Sequence, residues 1–284
     1  MDEKLLKQIR KIDEIVQLDF EHDNRLFIDP YRINEGESEL FARAKKKIIN
    51  FFDLFFKCIE KNDRETAFYI GKQLHEINAT KLGYSRKDGL PRGKGFSRKD
   101  LLIIFDEAIK IKEFITDMPD VLILAEKVGP DKVSDLTTNI IYKELIEYTI
   151  YIVNKYQLEI DLVNKKKWIF NVEEKKWIKE KILVPHIENE EILFLPKKIV
   201  ERYEIFSYQN VYRDLVFPFY KANPAIHRLI KVLKNKEERS DCKKLRKRYP
   251  ANRETVRNFK LEYPERYTQY KKEMEKDYWR HEIK

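Results

Sequence analysis

Apolar side chains recur at helical spacing over the first eighteen positions. Leu5, Leu6, Ile9, Ile12, Ile15 and Val16 predict an amphipathic helix over 3–18. After a loop holding Asp29-Pro30, Ser38 is placed to cap a second helix running to about residue 61. Phe41, Ile48, Phe52, Leu54 and Phe55 fall on its buried side. A shorter helix is expected over 64–76, and another over about 98–115, with Ser97 as its N-cap and Leu101, Leu102, Phe105 and Ile109 as its apolar positions. Val121–Ala125 is too short for its pattern to separate a buried strand from a helical turn. Gly129-Pro130 ends it, and a helix is expected from about Ser134 to Lys155.

The period shortens between 159 and 196. Trp168–Phe170, Trp177-Ile178, Ile182–Val184 and Ile192–Leu195 are short runs rich in β-branched and aromatic residues, separated by polar turns such as Glu173-Glu174 and Glu188–Glu190. They predict a small antiparallel sheet. Helices return after Pro196, punctuated by Pro218, Pro224, Pro250 and Pro264. The expected fold is α+β, predominantly α-helical with a small antiparallel β insert. The expected division is a compact, mostly helical body over 1–230, with its β-rich segment at about 159–196, and a basic helical region over 231–284.

With 42% hydrophobic and 13% aromatic residues, the chain can fill a core. No apolar run approaches the roughly 18 residues of a membrane span. The opening Met1–Lys4 mixes both signs of charge and reads as a helix start rather than a signal peptide. Cys58 and Cys242 are too few for a disulfide framework or a four-cysteine zinc site, and Cys58, after Phe55-Phe56, reads as core. A soluble, cytoplasmic protein with no membrane partner is expected. Charge changes the picture further through its placement. Residues 231–284 hold 18 Lys/Arg against 10 Asp/Glu, so +8 of the net +9 lies there, and the remainder is nearly neutral with 40 basic and 39 acidic groups. A basic region on a neutral body is an electrostatic footprint for nucleic acid, DNA or RNA.

Three stretches carry candidate chemistry. In the first, Asp135, Thr138, Asn139, Tyr142 and Thr149 fall in one polar stripe at about 100° per residue on an otherwise apolar helix. Asp131 and Asp135, spaced i,i+4, would face one Mg²⁺, with Glu76 as a third carboxylate and Asn139 orienting water or a ligand. The competing reading makes Ser134 and Asp135 helix caps and Asn139 a core hydrogen bonder. His75, beside Glu76, is a weaker base or ligand. The second is the glycine-rich basic segment 81–99, with Lys81, Arg86, Lys87, Arg92, Lys94, Arg98 and Lys99. It lacks the Walker A spacing but could hold phosphate or merely join two helices. The third is Lys243, Lys244, Arg246, Lys247 and Arg248, continued by Arg253, Arg257 and Lys260 and interleaved with Tyr249, Phe259, Tyr263, Tyr267 and Tyr270. The cations would contact phosphates, while the tyrosines at helical spacing pack the helices.

The stretches Ser134–Ile141 and Leu145–Thr149, with Ile192–Lys197, resemble uncharacterised bacterial proteins associated with mobile elements and anti-phage defence. The resemblance implies a prokaryotic setting and action on nucleic acid, and it brings no catalytic mechanism. Pro130-Asp131 resembles the opening of the PD-(D/E)xK nuclease pattern. No (D/E)xK in a strand context follows, and Glu144 and Glu147 fall roughly 180° and 120° from Asp135 on a continuous helix. The leading expectation is therefore a nucleic-acid-processing effector, a Mg²⁺-dependent nuclease. The alternatives are a non-enzymatic nucleic-acid-binding or partner-docking subunit of a multi-component system, and a sensor of a small phosphorylated ligand held by the glycine-rich segment.

Overall fold

A computed structural model describes residues 3–17, 26–33, 38–75, 77–82, 97–202, 206–222 and 238–280, with only the backbone given for 238–241 and 275–280. It is predominantly helical with small antiparallel sheets. The chain forms two compact units. The first comprises Met1–Asp106 and Val128–Glu204, and the second comprises Glu107–Lys127 and Ile205–Lys284. The division thus falls earlier than residue 230 and takes in a segment from the middle of the chain. No helix among the described residues is long and apolar enough to cross a membrane.

In the first unit, α1 (Glu3–Ile9) is shorter than its periodicity predicts, and Ile12 and Ile15 are buried in the turns beyond it. Ser38 caps α2 (Glu39–Lys61) by accepting the Phe41 N–H, and Asn62 closes the helix in a left-handed conformation. Its inner face holds Ala44, Ile48, Phe51, Phe52, Phe55, Cys58 and Ile59. Cys58 donates to the Leu54 carbonyl at 3.2 Å, and burial pushes its thiol up to about 11, the state of a core residue rather than a nucleophile. Asp63 caps α3 (Arg64–Ile70). At the start of α4 (Arg98–Lys110), the Asp100 carboxylate accepts both the Ser97 N–H and the Ser97 hydroxyl, the return arm of a capping box.

The expected continuous helix over 134–155 is two helices, α6 (Pro130–Ile140) and α7 (Tyr142–Lys155), broken at Ile141. The sheet pairs all of β2 (Asp161–Asn171) with β3 (Lys176–Ile187), and β4 (Glu190–Glu191) adds two residues beside the end of β3. The runs Trp177-Ile178 and Ile182–Val184 therefore lie in one strand. Ile192–Leu195 is buried but not a strand. β1 (Phe27–Ile28) pairs with β5 (Val200–Glu201). At the turn end of the hairpin, Phe51, Phe170 and Trp177 pack edge to face, and Trp177 donates to the Ile70 carbonyl at 2.6 Å.

The second unit gathers α5 (Met118–Leu124), α8 (Tyr208–Val211), a π-helical turn Tyr212–Val216, α9 (Phe217–Ala222), α10 (Glu238–Arg248), α11 (Arg253–Glu262) and α12 (Pro264–Arg280). The ambiguous Val121–Ala125 run belongs to α5, which Asp117 caps and which is buried on nearly all sides. Pro250 lies between α10 and α11, and Pro264 opens α12. Tyr220 stacks on Tyr249 with centroids 3.8 Å apart, and Phe219, Phe259 and Tyr263 extend the cluster. Tyr267 is fully buried. The tyrosines of this region thus serve packing.

Candidate nucleic-acid interface

With Gly129 as its N-cap, α6 starts at Pro130, four residues before Ser134. Neither Ser134 nor Asp135 is a cap. Both sit inside the helix, and the Ser134 hydroxyl accepts the Ile28 N–H at 2.9 Å. Asp131 and Asp135 consequently lie one helical turn apart, the spacing that puts side chains on one face. Glu76 lies outside the described residues. Among the described residues, no group of three His, Cys, Asp or Glu is placed to hold a metal ion.

The rest of the stripe is spent on the fold. Asn139 accepts the His75 N–H at 3.2 Å and donates to the carbonyls of His75 and Asp135, both at 2.8 Å. Its amide thus closes the chain around His75, the arrangement of a core hydrogen bonder. Thr138 bonds back to Ser134, and Thr149 donates to Leu145 while accepting the Phe194 N–H at 2.9 Å. Tyr142 donates to Glu191, which also holds Lys167. Buried polar groups satisfied in this way avoid a desolvation cost of several kcal/mol. Replacing Asn139 with Leu leaves two main-chain groups of His75 without their partner. The expected loss is about 1–3 kcal/mol of stability, read from the urea midpoint. Unchanged stability with loss of nucleic-acid cleavage would restore the catalytic role.

Glu144 and Glu147, the acids nearest in sequence, face α2. Glu144 pairs with the buried Lys47 at 2.9 Å, and Glu147 pairs with Arg43. With Lys46–Glu173 and Lys143–Glu180, these pairs line an open cavity of about 500 Å³. Each of its cations has a carboxylate of its own, so a phosphate entering there would have to displace an acid.

Of the glycine-rich segment, residues 83–96 lie outside the described residues, and Arg86, Lys87, Arg92 and Lys94 with them. Lys81 pairs with Glu190 at 3.1 Å, Arg98 lies 4.0 Å over the Phe68 ring, and Lys99 is exposed.

The basic run behaves differently in its two parts. Arg253 and Arg257 approach Glu126, Arg257 also donates to the Leu124 carbonyl, and Lys260 bonds Asp120. These three cations are consumed inside the second unit and do not continue a surface run. In α10, by contrast, Leu245 is the buried anchor, and Lys243, Lys244, Arg246, Lys247 and Arg248 are all exposed. None of the five is ion-paired among the described residues. Arg246 lies 5.2 Å from the Phe217 ring centroid. It also borders a cavity of about 290 Å³ lined with Tyr212, Arg213, Phe217 and Ala251. Sequence reading overlooked this cavity, because its rings and guanidinium groups come from two segments about thirty residues apart.

No curated protein and no solved structure matches the chain. A family model described as a domain of unknown function, DUF8370, matches residues 5–207. That match covers the first unit and the inserted segment 107–127, and it ends where the second unit resumes. The chain therefore belongs to the DUF8370 family.

Proposed function

We propose that the protein binds nucleic acid, with the exposed cations of α10 held against the phosphate backbone. The observation that carries this reading is five exposed cations on one short helix without a carboxylate partner among the described residues. Several exposed cations elsewhere, Arg64, Lys127 and Lys155 among them, are paired with acids. Concentrated, unpaired positive charge draws a polyanion and gains free energy by releasing its counterions. The adjoining cavity places the half-buried Phe217 ring beside that charge, the type of surface that accepts a base. A setting in bacterial mobile elements or anti-phage defence fits the reading and is proposed with it.

The test is fluorescence anisotropy with labelled DNA and RNA over a range of salt concentrations. Affinity that falls steeply as salt rises supports the reading, whereas absent or salt-independent binding overturns it. One observation favours a catalytic extension, because α6 carries Asp131 and Asp135 one turn apart. Mg²⁺ commonly binds through one or two carboxylates, with substrate phosphate and water as its other ligands. We therefore retain Mg²⁺-dependent cleavage as the second reading. Incubation with DNA and RNA, with and without Mg²⁺ or Mn²⁺, examines it. Cleavage that survives Asp135→Ala would sink the site assignment, and no cleavage under any of these conditions would sink the activity.

A further inference from the structure

The β2–β3 hairpin has an outer face whose chemistry its own packing does not require. The register brings Leu162, Asn164, Lys166 and Trp168 of β2 to the same face as Lys179 and Lys181 of β3. Toward the turn that face carries Phe170 and Trp177, which pack on Phe51, so its exposed part is the stretch around Lys166, Trp168, Lys179 and Lys181. Lys166 stands directly opposite Lys181, and Trp168 directly opposite Lys179. The Lys179 ammonium lies 5.1 Å from the Trp168 ring centroid. Three lysines of β2 and β3 share this exposed stretch, and no acid of either strand does. Like charges directly across a strand pair are destabilising, and neither Lys166 nor Lys181 is ion-paired among the described residues. The opposite face of the same hairpin shows the usual remedy, with Lys167 bound to Glu191 at 2.6 Å and Glu180 bound to Lys143. Lysine on an edge strand guards against unwanted strand pairing. That purpose does not call for two lysines opposed to each other, or for an acid-free face around a tryptophan.

We propose that this face is a second nucleic-acid contact and that its occupant is single-stranded. The inference rests on the nucleic-acid reading given above. Charge complementarity supplies the class of partner, since the unpaired lysines match phosphates. The shape of the surface supplies the strandedness. The turn end of the hairpin is tied to the first unit through Trp177 and Phe170, so the ribbon is not a free finger that could enter a duplex groove. An aromatic ring among lysines stacks unpaired bases while the lysines neutralise the backbone. Lys166 and Lys181 are the phosphate contacts, and Trp168, with Lys179 beside it, is the stacking position.

The experiment measures anisotropy of a labelled oligothymidylate and of a duplex of equal length across a salt series, using the full chain. The proteins are wild type, Lys166→Gln/Lys181→Gln, Trp168→Phe, Trp168→Ala and a variant neutralised in α10. Removing the two lysines should lower the slope of log K against log salt for the single strand by about 1.4. Trp168→Ala should weaken single-strand binding roughly tenfold, and Trp168→Phe should restore most of it. The lysine variant should be no less stable to urea than wild type, which separates a lost contact from a damaged fold. Single-strand binding unchanged in the lysine variant but lost in the α10 variant overturns this inference and leaves the α10 reading standing. No binding by wild type overturns both. An effect of the lysine variant confined to the duplex overturns the single-strand assignment.

Discussion

Replacing Asp120 with Ala is expected to remove about 3–5 kcal/mol from the second unit, as for any buried ion pair that loses one partner. Asp120 is fully buried in α5. One of its oxygens accepts from the Lys271 ammonium at 2.7 Å and the Tyr267 hydroxyl at 3.1 Å. The other accepts from Lys260 and from the Thr116 N–H and hydroxyl, at 2.8 and 2.6 Å for the threonine. Two ammonium groups thus converge on one carboxylate. Lys271 keeps Asp117 at 2.8 Å after the substitution, and Lys260 keeps the Phe114 carbonyl at 2.6 Å, but neither retains its buried counter-charge. Asp120→Asn preserves acceptor capacity without the charge and should fall between wild type and Ala. Denaturant unfolding followed by circular dichroism measures the loss. A change in Asp120→Ala of under about 0.5 kcal/mol, typical of surface positions, would show that the network is not holding the unit together.

The same carboxylate sets an acid limit. Burial pushes the Asp120 carboxyl up, but the charge of Lys271 and the hydrogen bonds from Lys260, Lys271 and Thr116 outweigh it and hold the group below its ordinary value. A group whose folded value is lowered contributes fully above its unfolded value, here about 3.9 for aspartate. The contribution is lost as pH falls through the lowered folded value. Wild-type stability should therefore drop on acidification below about 3.9, and Asp120→Asn should flatten that part of the profile. Burial, the Asp120 charge and its hydrogen bond likewise push the Tyr267 hydroxyl well up, so it stays a donor across this range.

The second large effect is expected in binding. Changing Lys243, Lys244, Arg246, Lys247 and Arg248 to Gln removes five exposed cations and leaves Leu245 to anchor α10. If each cation meets a phosphate, the slope of log K against log salt falls by about 4.5 on duplex DNA and about 3.5 on a single strand. Affinity at about 50 mM salt should drop by at least roughly a hundredfold. The five side chains have no ion-pair partners to strand among the described residues, so the urea midpoint should hardly move. Binding that keeps its affinity and its salt slope in this variant would place the nucleic-acid contact elsewhere or remove it.

Much of the fold was legible because burial imposes a period. The 3.6-residue recurrence and Ser38 predicted α2 almost to its ends, and β-branched and aromatic runs predicted the antiparallel insert. The hairpin read as several short strands because its lysines and glutamates, facing outward or paired at a distance, interrupt the apolar pattern. The exposed basic run of α10 was also legible, since five cations within six positions of one short helix exceed what its single buried position, Leu245, can conceal.

The partners of individual polar groups were not legible. Asn139 belongs to a helix whose stripe suggested a ligand site, yet its amide closes on His75, 64 positions earlier. Lys260 looked like a continuation of the basic run, yet Asp120, 140 positions away, takes its charge inward. Periodicity and composition already specify a mostly helical chain with an antiparallel insert and an excess of positive charge near one end. Which of those charges remain on the surface is set by the tertiary fold. Helical and strand periods record how each residue meets the core, but a charge is cancelled by whatever folding brings within a few ångströms, and separation along the chain carries no record of that distance.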